Sequence, residues 1–528
     1  MMMTMGEEQI LAAKIIVSVL LGGLLVFGLH LYDLLILKPK RLRSKLQKQA
    51  IRGPSPSFLL GNIPDMKKIY LKVQAAAAET NPKHDNPSLN HISHAWPSTI
   101  FPHLEQWRHE YGPVFMFSIG SIQILWAGDI EMVKDIGLCT SLNLGKPSYI
   151  TKERGALVGQ GIASSSGPLW AHQRKIIAPE FYMDKVKGMM SLMVDCTTSM
   201  LRAWEIRIEN EGGIADIKID KDLRTLSGDV ISRACFGSNY LEGEEIFLKF
   251  RTLQKIMSKK TLGIPKFRFF PSKTDRQICK LEKEINSMIV RVVKQRTETT
   301  HEKDLLQMIL EGARNTGDLS DISPDKFIVD NCKTIYVGGY GTVAVTASWS
   351  LMLLAAYPEW QARARAEVLE MCKGGLPDAD TIRNMKTLAM VIQETLRLYP
   401  PVPAVTREAV QDIKFKDILI PEGIDIWIPT AMLQQHPDLW GPDAHEFNPE
   451  RFSHGIRGAC KIPQAFIPFG FGARVCVGQH LAMTELKVML CLILSKFCFS
   501  LSSTYRHSPV DRLLIEPEHG VRLHMRRV

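Results

Sequence analysis

The two longest apolar stretches of the chain predict two helices of different kinds. The first runs from Ile15 to Leu37 with few polar residues, long enough to cross a hydrocarbon layer of roughly 30 Å. Glu7 and Glu8 precede it and a basic cluster between Lys38 and Arg52 follows, so the positive-inside rule places the bulk of the chain in the cytosol. A cleaved secretory signal needs a short apolar core and a small-residue cleavage site, and neither is evident. We therefore predict one transmembrane anchor.

The second apolar stretch begins after Ser323-Pro324, a favourable N-cap and first-turn pair, and continues to Tyr357-Pro358. It predicts a helix of about 33 residues, roughly 50 Å long. Its hydroxyl residues and the lack of a flanking basic cluster favour a core helix over a second membrane span; these residues are Thr334, Thr342, Thr346, Ser348 and Ser350. Short β patterns at Ile418–Ile420 and Ile424–Ile428 predict a hairpin. The fold class is therefore mainly α with a smaller β portion.

Three segments follow from this pattern. Residues 1–37 form the predicted membrane anchor, and residues 38–62 form a basic and proline-rich linker. Its prolines favour a stiff, extended segment that lifts the body off the membrane, although an ordinary surface loop has the same composition. Residues 63–528 form one catalytic domain.

Composition narrows the class of protein. The chain has 528 residues, of which 45% are hydrophobic and 23% are charged, as in a globular protein. Its net charge of +10 is compatible with nucleic acid, a membrane surface or an acidic partner, but no nucleic-acid motif appears. The ten cysteines include no C-x-x-C pair, which argues against zinc ribbons and thioredoxin-type sites and favours free thiols in a reducing compartment.

One cysteine stands in a context that favours metal binding. Cys476 lies in the glycine-rich stretch 469–478, with a cation two positions before it and an apolar helical pattern directly after it. A helix N-terminus and a cation both lower the pKa of a thiol, and a metal binds the thiolate. An isolated Gly/Cys loop would more often merely pack. Here the spacing Phe-x-x-Gly-x-Arg-x-Cys-x-Gly resembles the haem-binding loop of cytochromes P-450, in which a cysteine thiolate binds the haem iron.

The resemblance implies a cofactor and several binding residues. The cofactor is haem b with Cys476 as the axial ligand of its iron. Arg474 pairs with a haem propionate, Phe469 packs beside the sulfur, and Gly472 and Gly478 let the backbone turn tightly near the flat ligand.

Three further motifs follow the pattern of that family in the right order. Glu394-x-x-Arg397 is by itself as well explained by a surface ion pair. Pro449-Glu450-Arg451-Phe452, however, resembles the family's meander motif, in which the arginine joins the Glu/Arg pair as a structural network. Trp170-x-x-x-Arg174 resembles the pair that meets a haem propionate, with an amphipathic surface helix as the alternative. Arg407 resembles a third propionate contact.

The long helix carries the expected oxygen-activation position. Thr342 matches the family threonine that hydrogen-bonds bound oxygen, and Gly338 and Gly339 lie one turn before it. Each glycine inside a helix costs about 1 kcal/mol relative to alanine, which close approach of haem and dioxygen would explain. Gly341 replaces the acidic residue that usually precedes the threonine. We therefore predict that oxygen activation is partly uncoupled from product formation, and that Gly341→Glu improves the coupling if the side chain fits.

The resemblance extends over nearly the whole chain. Within it, the stretches 144–149 and 178–181 resemble plant enzymes that oxidise gibberellins and related ent-kaurane diterpenoid acids. This implies a haem-dependent monooxygenase of the endoplasmic reticulum membrane that uses O2 and takes electrons from NADPH–cytochrome P-450 reductase. The predicted substrate pocket, for a small lipophilic molecule, includes Gly338, Ala404, Val405 and His519. A basic surface that includes Lys175 is expected to dock the reductase.

Three alternatives remain at this stage. A haem-thiolate isomerase or dehydratase would act without O2, and the missing acid at position 341 leaves that reaction open. A monooxygenase acting on another lipophilic plant metabolite has the same motifs. A non-enzymatic haem-binding protein would share the cysteine loop.

Overall fold

The computed structural model describes residues 5–80, 92–237, 240–263, 272–299, 304–314 and 322–528. In chain order its α-helices are α1 Met5–Tyr32, α2 Lys38–Gln47, α3 Ile63–Thr80, α4 Trp96–Ile100, α5 Pro102–Tyr111, α6 Ile130–Leu138, α7 Ser148–Val158, α8 Gly167–Ile177, α9 Met183–Gly188, α10 Met190–Asn210, α11 Asp220–Phe236, α12 Tyr240–Ser258, α13 Lys273–Thr299, α14 Leu305–Arg314, α15 Pro324–Ala356, α16 Pro358–Cys372, α17 Ala379–Asn384, α18 Lys386–Leu398, α19 Thr430–Leu433, α20 Pro437–Trp440, α21 Ile456–Ala459 and α22 Gln479–Lys496.

The strands are β1 Val114–Ile119, β2 Ile122–Ala127, β3 Leu144–Gly145, β4 Ile214–Lys218, β5 Val405–Ala409, β6 Ile413–Phe415, β7 Ile418–Ile420, β8 Asp425–Ile428, β9 Phe497–Leu501, β10 Pro509–Asp511, β11 Ile515–Pro517 and β12 Arg522–Arg527. They form a five-stranded sheet in the order β1-β2-β8-β5-β3, a three-stranded sheet β4-β12-β9, and the pairs β6-β7 and β10-β11. The prediction of a mainly α fold with a smaller β portion is confirmed.

The two apolar helices differ in their surroundings, as predicted. Helix α1 is exposed from Ile10 to His30, and the most apolar window of the span Ile10–Gln47 has a mean hydropathy of 2.6 with none of it buried. The most apolar window of α15 has a mean hydropathy of 1.3 and is mostly buried in the protein core. Its first turn is capped by Ser323, whose hydroxyl oxygen accepts a hydrogen bond from the Lys326 N–H at 3.4 Å. Helix α1 is therefore the candidate membrane span, and α15 is a core helix.

The basic segment after α1 is helical and lies against the body of the protein. A short π-helical stretch, Asp33–Leu37, joins α1 to α2. Leu46 of α2 is buried, and the Arg43 guanidinium donates to the carbonyls of Gly53 and Pro54 at 3.0 and 2.7 Å. The linker boundary of 38–62 stays a prediction, but its first ten residues are an extension of the anchor helix.

The predicted hairpin between residues 418–420 and 424–428 is wrong in its pairing. Both strands exist, but β7 pairs with β6, while β8 pairs in parallel with β2 and antiparallel with β5. Gly423, with φ of +82°, turns the chain between them, and its N–H donates to the Ala409 carbonyl at 2.8 Å. The turn therefore directs β8 into the larger sheet, because β2 and β5 offer it partners on both edges.

Candidate functional site

The stretch 469–478 lies between the short 3-10 helix Pro463–Ala465 and the start of α22, and glycine is required in it. Gly472 has φ of +67°, and a Cβ there would lie 2.5 Å from the Gly137 carbonyl oxygen of α6. A side chain would be strained by the backbone and would collide with α6. The Cys476 N–H donates to the Phe469 carbonyl at 2.8 Å, which closes the loop. The loop therefore holds Cys476 in one orientation, three residues before Gln479, the first residue of α22.

The Cys476 side chain faces an open space inside the protein. Its surface is exposed, yet surrounding protein raises the pKa of Cys476, while a hydrogen bond from the Gly478 N–H and the charge of Arg174 lower it. The side chain is exposed and yet surrounded by protein because the sulfur faces an interior space rather than the outer surface. Gly478 is the N-cap of α22, so the backbone end of that helix supports a thiolate. These donors and this burial fit a metal ligand better than a packed thiol.

Two predicted cations join α8 to the loop: Arg174 lies on α8, and Arg474 lies in the loop itself. Arg174 donates to the Val475 carbonyl at 2.6 Å. Arg474 donates to the Ser165 carbonyl at 3.0 Å and lies 4.1 Å over the Trp170 ring. Because Trp170 and Arg174 are one helical turn apart, they share a face of α8 that is directed at the loop.

Two more cations complete what we call the cation cluster: Lys146, Arg174, Arg407 and Arg474. Arg407, on β5, is buried and lies 5.8 Å over the Phe471 ring, with one hydrogen bond to the neighbouring Thr406 carbonyl at 2.9 Å. Lys146 follows β3, and the charges of Arg407 and Arg474 lower its pKa. Lys146 lies in the stretch 144–149, which the sequence analysis cites only for its resemblance to plant enzymes. Its place in the cation cluster was not predicted, because the cluster forms from segments that are distant in the chain.

The cation cluster lacks internal anions. Burial lowers the pKa of Arg407 to about 10 and, together with Arg407 and Arg174, lowers the pKa of Arg474 to about 9. Burial and the two arginines lower the pKa of Lys146 well below its usual value. Among the described residues, no carboxylate opposes these shifts, and the buried Arg474 Nη2 has no hydrogen-bond partner. Such cations are costly unless an anion joins them. The donor set fits the two carboxylates of a haem.

Helix α15 presents different glycines to different neighbours. A Cβ on Gly338 would meet no atom within 4 Å, whereas a Cβ on Gly339 would lie 2.5 Å from Ile231 of α11. Gly338 therefore faces open space, and Gly339 permits close helix packing. The Thr342 hydroxyl lies on the same open face and donates to the Gly338 carbonyl at 2.8 Å.

Gly341 contacts a residue that the sequence did not identify. A Cβ at this position would lie 3.1 Å from Leu514 Cδ1. Leu514 belongs to the tight turn between β10 and β11, where Leu513 has φ of +70° and its N–H donates to Asp511 Oδ1 at 3.0 Å. The turn therefore presses Leu514 against α15 beside Thr342. No sequence pattern pairs positions 341 and 514, since they meet only in the folded chain.

The remaining predicted pocket residues separate into two places. Ala404 and Val405 are half-buried at the start of β5, two residues before Arg407. His519 is half exposed, contacts Glu518 at 3.8 Å, and lines an outer cleft with Tyr505, Arg506 and Arg522. The structure does not bring His519 together with Thr342 or Cys476. The C-terminal residue that lies against α15 beside Thr342 is Leu514.

The three residues of the predicted structural network meet in the core, and we call them the Arg397 network. Arg397 forms a two-pronged ion pair with Glu394, at 2.6 and 2.8 Å. Arg451 lies 3.6 Å from the same carboxylate and pairs with Asp443 at 2.8 Å. The remaining Arg397 donors reach the carbonyls of Gln434, Ala444 and Glu446. Every donor of Arg397 is thus satisfied inside the protein.

Comparison with known proteins agrees with this geometry. The family model described as "Cytochrome P450" matches residues 89–523. Cytochrome P450 714C2 of Oryza sativa subsp. japonica is 49% identical over 504 residues, 94% of this chain and 95% of the relative. Cytochrome P450 714A2 of Arabidopsis thaliana is 45% identical over 519 residues, 95% and 96% of the two chains. Cytochrome P450 714B3 of Zea mays is 45% identical over 532 residues, 99% and 98% of the two chains.

Proposed function

This chain belongs to the cytochrome P450 family and is a monooxygenase that uses haem with an axial cysteine thiolate, and we propose that it oxidises a gibberellin or a related ent-kaurane diterpenoid acid. One oxygen atom from O2 enters an apolar carbon centre of that substrate. The residue geometry around Cys476 and the unmatched cation cluster are the observations that support the assignment of the site.

Cys476 is the proposed ligand of the haem iron, and the cation cluster is the proposed site of the propionates. Support comes from the Gly478 N–H and Arg174 at the sulfur, and from buried cations that have no carboxylate among the described residues. When bound, the haem supplies the activation of dioxygen and the transfer of one oxygen atom. Trp170 and the arginines would orient the group, and Gly472 lets the loop that carries Cys476 pack against α6.

Thr342 is the proposed proton-handling residue. Its hydroxyl proton is held by the Gly338 carbonyl at 2.8 Å, so its oxygen lone pairs are free to accept a hydrogen bond on the open face of α15. Gly341 offers no carboxylate beside it, and Leu514 covers part of the space where one would stand. Protons then reach Thr342 through water rather than from a side chain at position 341.

The substrate class rests on the resemblance of residues 144–149 and 178–181 and on an open face that suits a rigid apolar molecule. Gly338, Leu514, Ala404 and Val405 are apolar or lack side chains, and apolar walls with few polar groups are typical of lipophilic binding sites.

The membrane and electron partners complete the proposal. Helix α1 anchors the chain in the endoplasmic reticulum membrane with the catalytic domain in the cytosol, because acidic residues precede its apolar segment and cations follow that segment. NADPH–cytochrome P-450 reductase supplies the electrons. Lys175 is exposed at the end of α8, one residue after Arg174, and is a proposed docking contact. Electron transfer should slow as salt rises, since screening limits charge attraction to about 10 Å at 0.1 M.

The ligand assignment is tested by spectroscopy. Reduced protein with carbon monoxide is expected to show the red-shifted Soret band of thiolate-ligated haem, and Cys476→Ser should lose that band. Cys460→Ser, which changes a half-buried cysteine in a nearby segment, is the matched control and should keep it. An unchanged band in Cys476→Ser would refute the assignment.

The substrate is tested separately by mass spectrometry. Membranes that contain the protein, the reductase and NADPH should convert gibberellins or kaurenoic acids to products heavier by one oxygen atom. Turnover of fatty acids or small phenolics alone would refute the diterpenoid proposal while leaving the monooxygenase intact. Product that forms without NADPH and O2 would instead favour the isomerase or dehydratase alternative.

A further inference from the structure

Two thiols touch each other away from the haem loop. Cys372 is the last residue of α16, and Cys491 lies inside α22. Their sulfur atoms are 3.6 Å apart, and either can donate a hydrogen bond to the other. Both are free cysteines separated by 119 positions in the chain. Their contact therefore joins the end of one helix to the core of another.

The two thiols differ in access. Cys491 is fully buried, whereas Cys372 is half-buried. Burial and the neighbouring Cys372 raise the pKa of Cys491 above its usual range, so Cys491 is a poor first target for an oxidant. Cys372 is the thiol that a small oxidant reaches first.

The chain after Cys372 allows the sulfurs to approach. A disulfide bond is about 2.05 Å long, so the sulfurs must close by roughly 1.5 Å. Lys373 and Gly374 have φ of +48° and +80° and end the helix, and a Cβ on Gly374 would meet no atom within 4 Å. The end of α16 thus has space in which to shift, while Cys491 stays fixed within α22.

We propose that Cys372 and Cys491 form a reversible disulfide when the protein meets hydrogen peroxide. The Cys372 sulfur attacks peroxide, the O–O bond breaks, and Cys372 becomes a sulfenic acid with release of one water. The Cys491 sulfur then attacks the Cys372 sulfur, the S–O bond breaks, and hydroxide leaves with the Cys491 proton as a second water. Two thiols are oxidised by two electrons in total, and one peroxide is reduced to two waters.

The cross-link closes a loop that contains the candidate site. Residues 372–491 include Cys476 and all members of the Arg397 network. Linking residues so far apart restricts the unfolded chain more than a short loop does. Oxidised protein should therefore unfold at a higher temperature than reduced protein. The proposal concerns this thiol pair and does not depend on which substrate the enzyme oxidises.

The test uses the full-length protein with its haem in detergent micelles. Samples are treated with hydrogen peroxide or with diamide, a thiol oxidant that is itself reduced to a hydrazine, and the remaining thiols are then alkylated. Mass spectrometry should find the Cys372 and Cys491 peptides joined, with a mass two hydrogens below their sum. The midpoint of thermal unfolding should rise by a few degrees, and dithiothreitol should reverse both effects.

Three variants make the result specific. Cys372→Ser and Cys491→Ala should each abolish the cross-link and the thermal shift, whereas Cys279→Ser, at an exposed cysteine on α13, should retain both. Absence of the joined peptide at oxidant levels that fully modify Cys279 would overturn the proposal. A joined peptide without a thermal shift would overturn the stabilising role and retain the modification site.

Discussion

The cation cluster and the Arg397 network both contain buried arginines, but only the network matches their charge inside the protein. Arg397 is fully buried and has a two-pronged carboxylate and three carbonyls as partners. Arg474 and Arg407 have one carbonyl each, together with an aromatic face, and Arg474 retains an unpartnered nitrogen. In the first arrangement each arginine has a carboxylate partner. In the second, no carboxylate among the described residues pairs with Arg407 or Arg474.

This difference separates a structural role from a binding role. A buried ion pair with all donors satisfied contributes to a unique fold, and removing one partner leaves the other charge uncompensated. Several buried cations without an anion lower the stability of the protein by itself and favour a dianionic ligand. The two clusters should therefore respond to mutation in opposite ways.

The largest expected effect comes from breaking the Arg397 network. Glu394→Gln removes the carboxylate that Arg397 and Arg451 share, which should lower the free energy of unfolding by about 3–5 kcal/mol. Urea unfolding of the purified protein measures the loss, and the yield of thiolate-ligated haem should fall with it.

An exposed ion pair provides the matched control. Glu450 pairs with Arg363 at 2.7 Å, and both side chains are about half exposed. Glu450→Gln should therefore change the free energy of unfolding by less than about 1 kcal/mol. If Glu394→Gln and Glu450→Gln change the free energy of unfolding equally, the Arg397 network stabilises the fold no more than an exposed ion pair does.

The second prediction breaks the cation cluster. Arg407→Gln removes a buried cation that has no carboxylate among the described residues, so haem-free protein should be as stable as before or more stable. Haem should dissociate roughly 10- to 100-fold faster, as expected for the loss of a charged hydrogen bond of about 1.5–3 kcal/mol. Transfer of haem to an excess of an apo-globin measures the rate.

A control variant and one contradicting result test this prediction. Arg457→Gln, at an exposed arginine on α21, should leave haem dissociation unchanged. If Arg407→Gln destabilises the haem-free protein as much as Glu394→Gln does, then the cation cluster is part of the fold and the contrast between the clusters fails.

A buried histidine cluster extends the comparison, because it is satisfied without any net charge. His94 hydrogen-bonds Tyr399 and Tyr357 at 2.6 and 3.0 Å, and His507 hydrogen-bonds Tyr399 and Tyr505 at 3.2 and 2.9 Å. Burial lowers the pKa of His94 to about 3 and that of His507 to about 4. Both rings therefore remain neutral in the folded protein.

The sign of the pH dependence follows from these values. Below an ordinary pKa of about 6.5 the unfolded chain binds protons that folded His94 and His507 do not, so stability falls as pH falls. The loss should approach about 1 kcal/mol per histidine for each pH unit between pH 6 and pH 4. His94→Gln should reduce the slope of stability against pH, whereas His454→Gln, at an exposed site, should leave it unchanged. A slope that His94→Gln does not alter would assign the acid sensitivity to other groups.

Features carried by short sequence windows were predictable. The core helix α15 and its Ser323 cap follow from a long, mainly apolar stretch and an adjacent hydroxyl. The meeting of Glu394 and Arg397 follows from i,i+3 spacing on one helix. The family pattern supplied Arg451, which local spacing could not have placed beside Glu394.

Features that depend on distant segments were not predictable from the sequence. Lys146 joins Arg407 and Arg474 only because β3 pairs with β5 at the edge of the sheet. Strand β8 enters the large sheet rather than a hairpin because β2 and β5 lie beside it. Leu514 reaches Gly341 through a turn that is more than 170 positions away in the sequence. Loop closure over such distances is set by the whole fold.

The smallest expected effect concerns the contact between Gly341 and Leu514, which changes how Gly341 is interpreted. The sequence suggests a lost proton donor, whereas the structure places Leu514 Cδ1 3.1 Å from where a Cβ would lie. Gly341→Ala should gain about 1 kcal/mol of helix propensity and lose a similar amount by crowding Leu514, so overall stability should change little. The displaced Leu514 should instead weaken substrate binding, seen as a smaller substrate-induced Soret shift.

A double-mutant cycle with Leu514→Ala tests whether the two positions act through their contact. In the Leu514→Ala background, Gly341→Ala should no longer affect substrate binding, because the space for the new methyl group is already open. The same argument limits Gly341→Glu, whose longer side chain should improve the ratio of product to NADPH only when Leu514 has been shortened. If Gly341→Glu alone improves the ratio of product to NADPH, then Leu514 moves aside to admit the longer side chain. In that case the missing acid at position 341, and not the presence of Leu514, determines how protons reach Thr342.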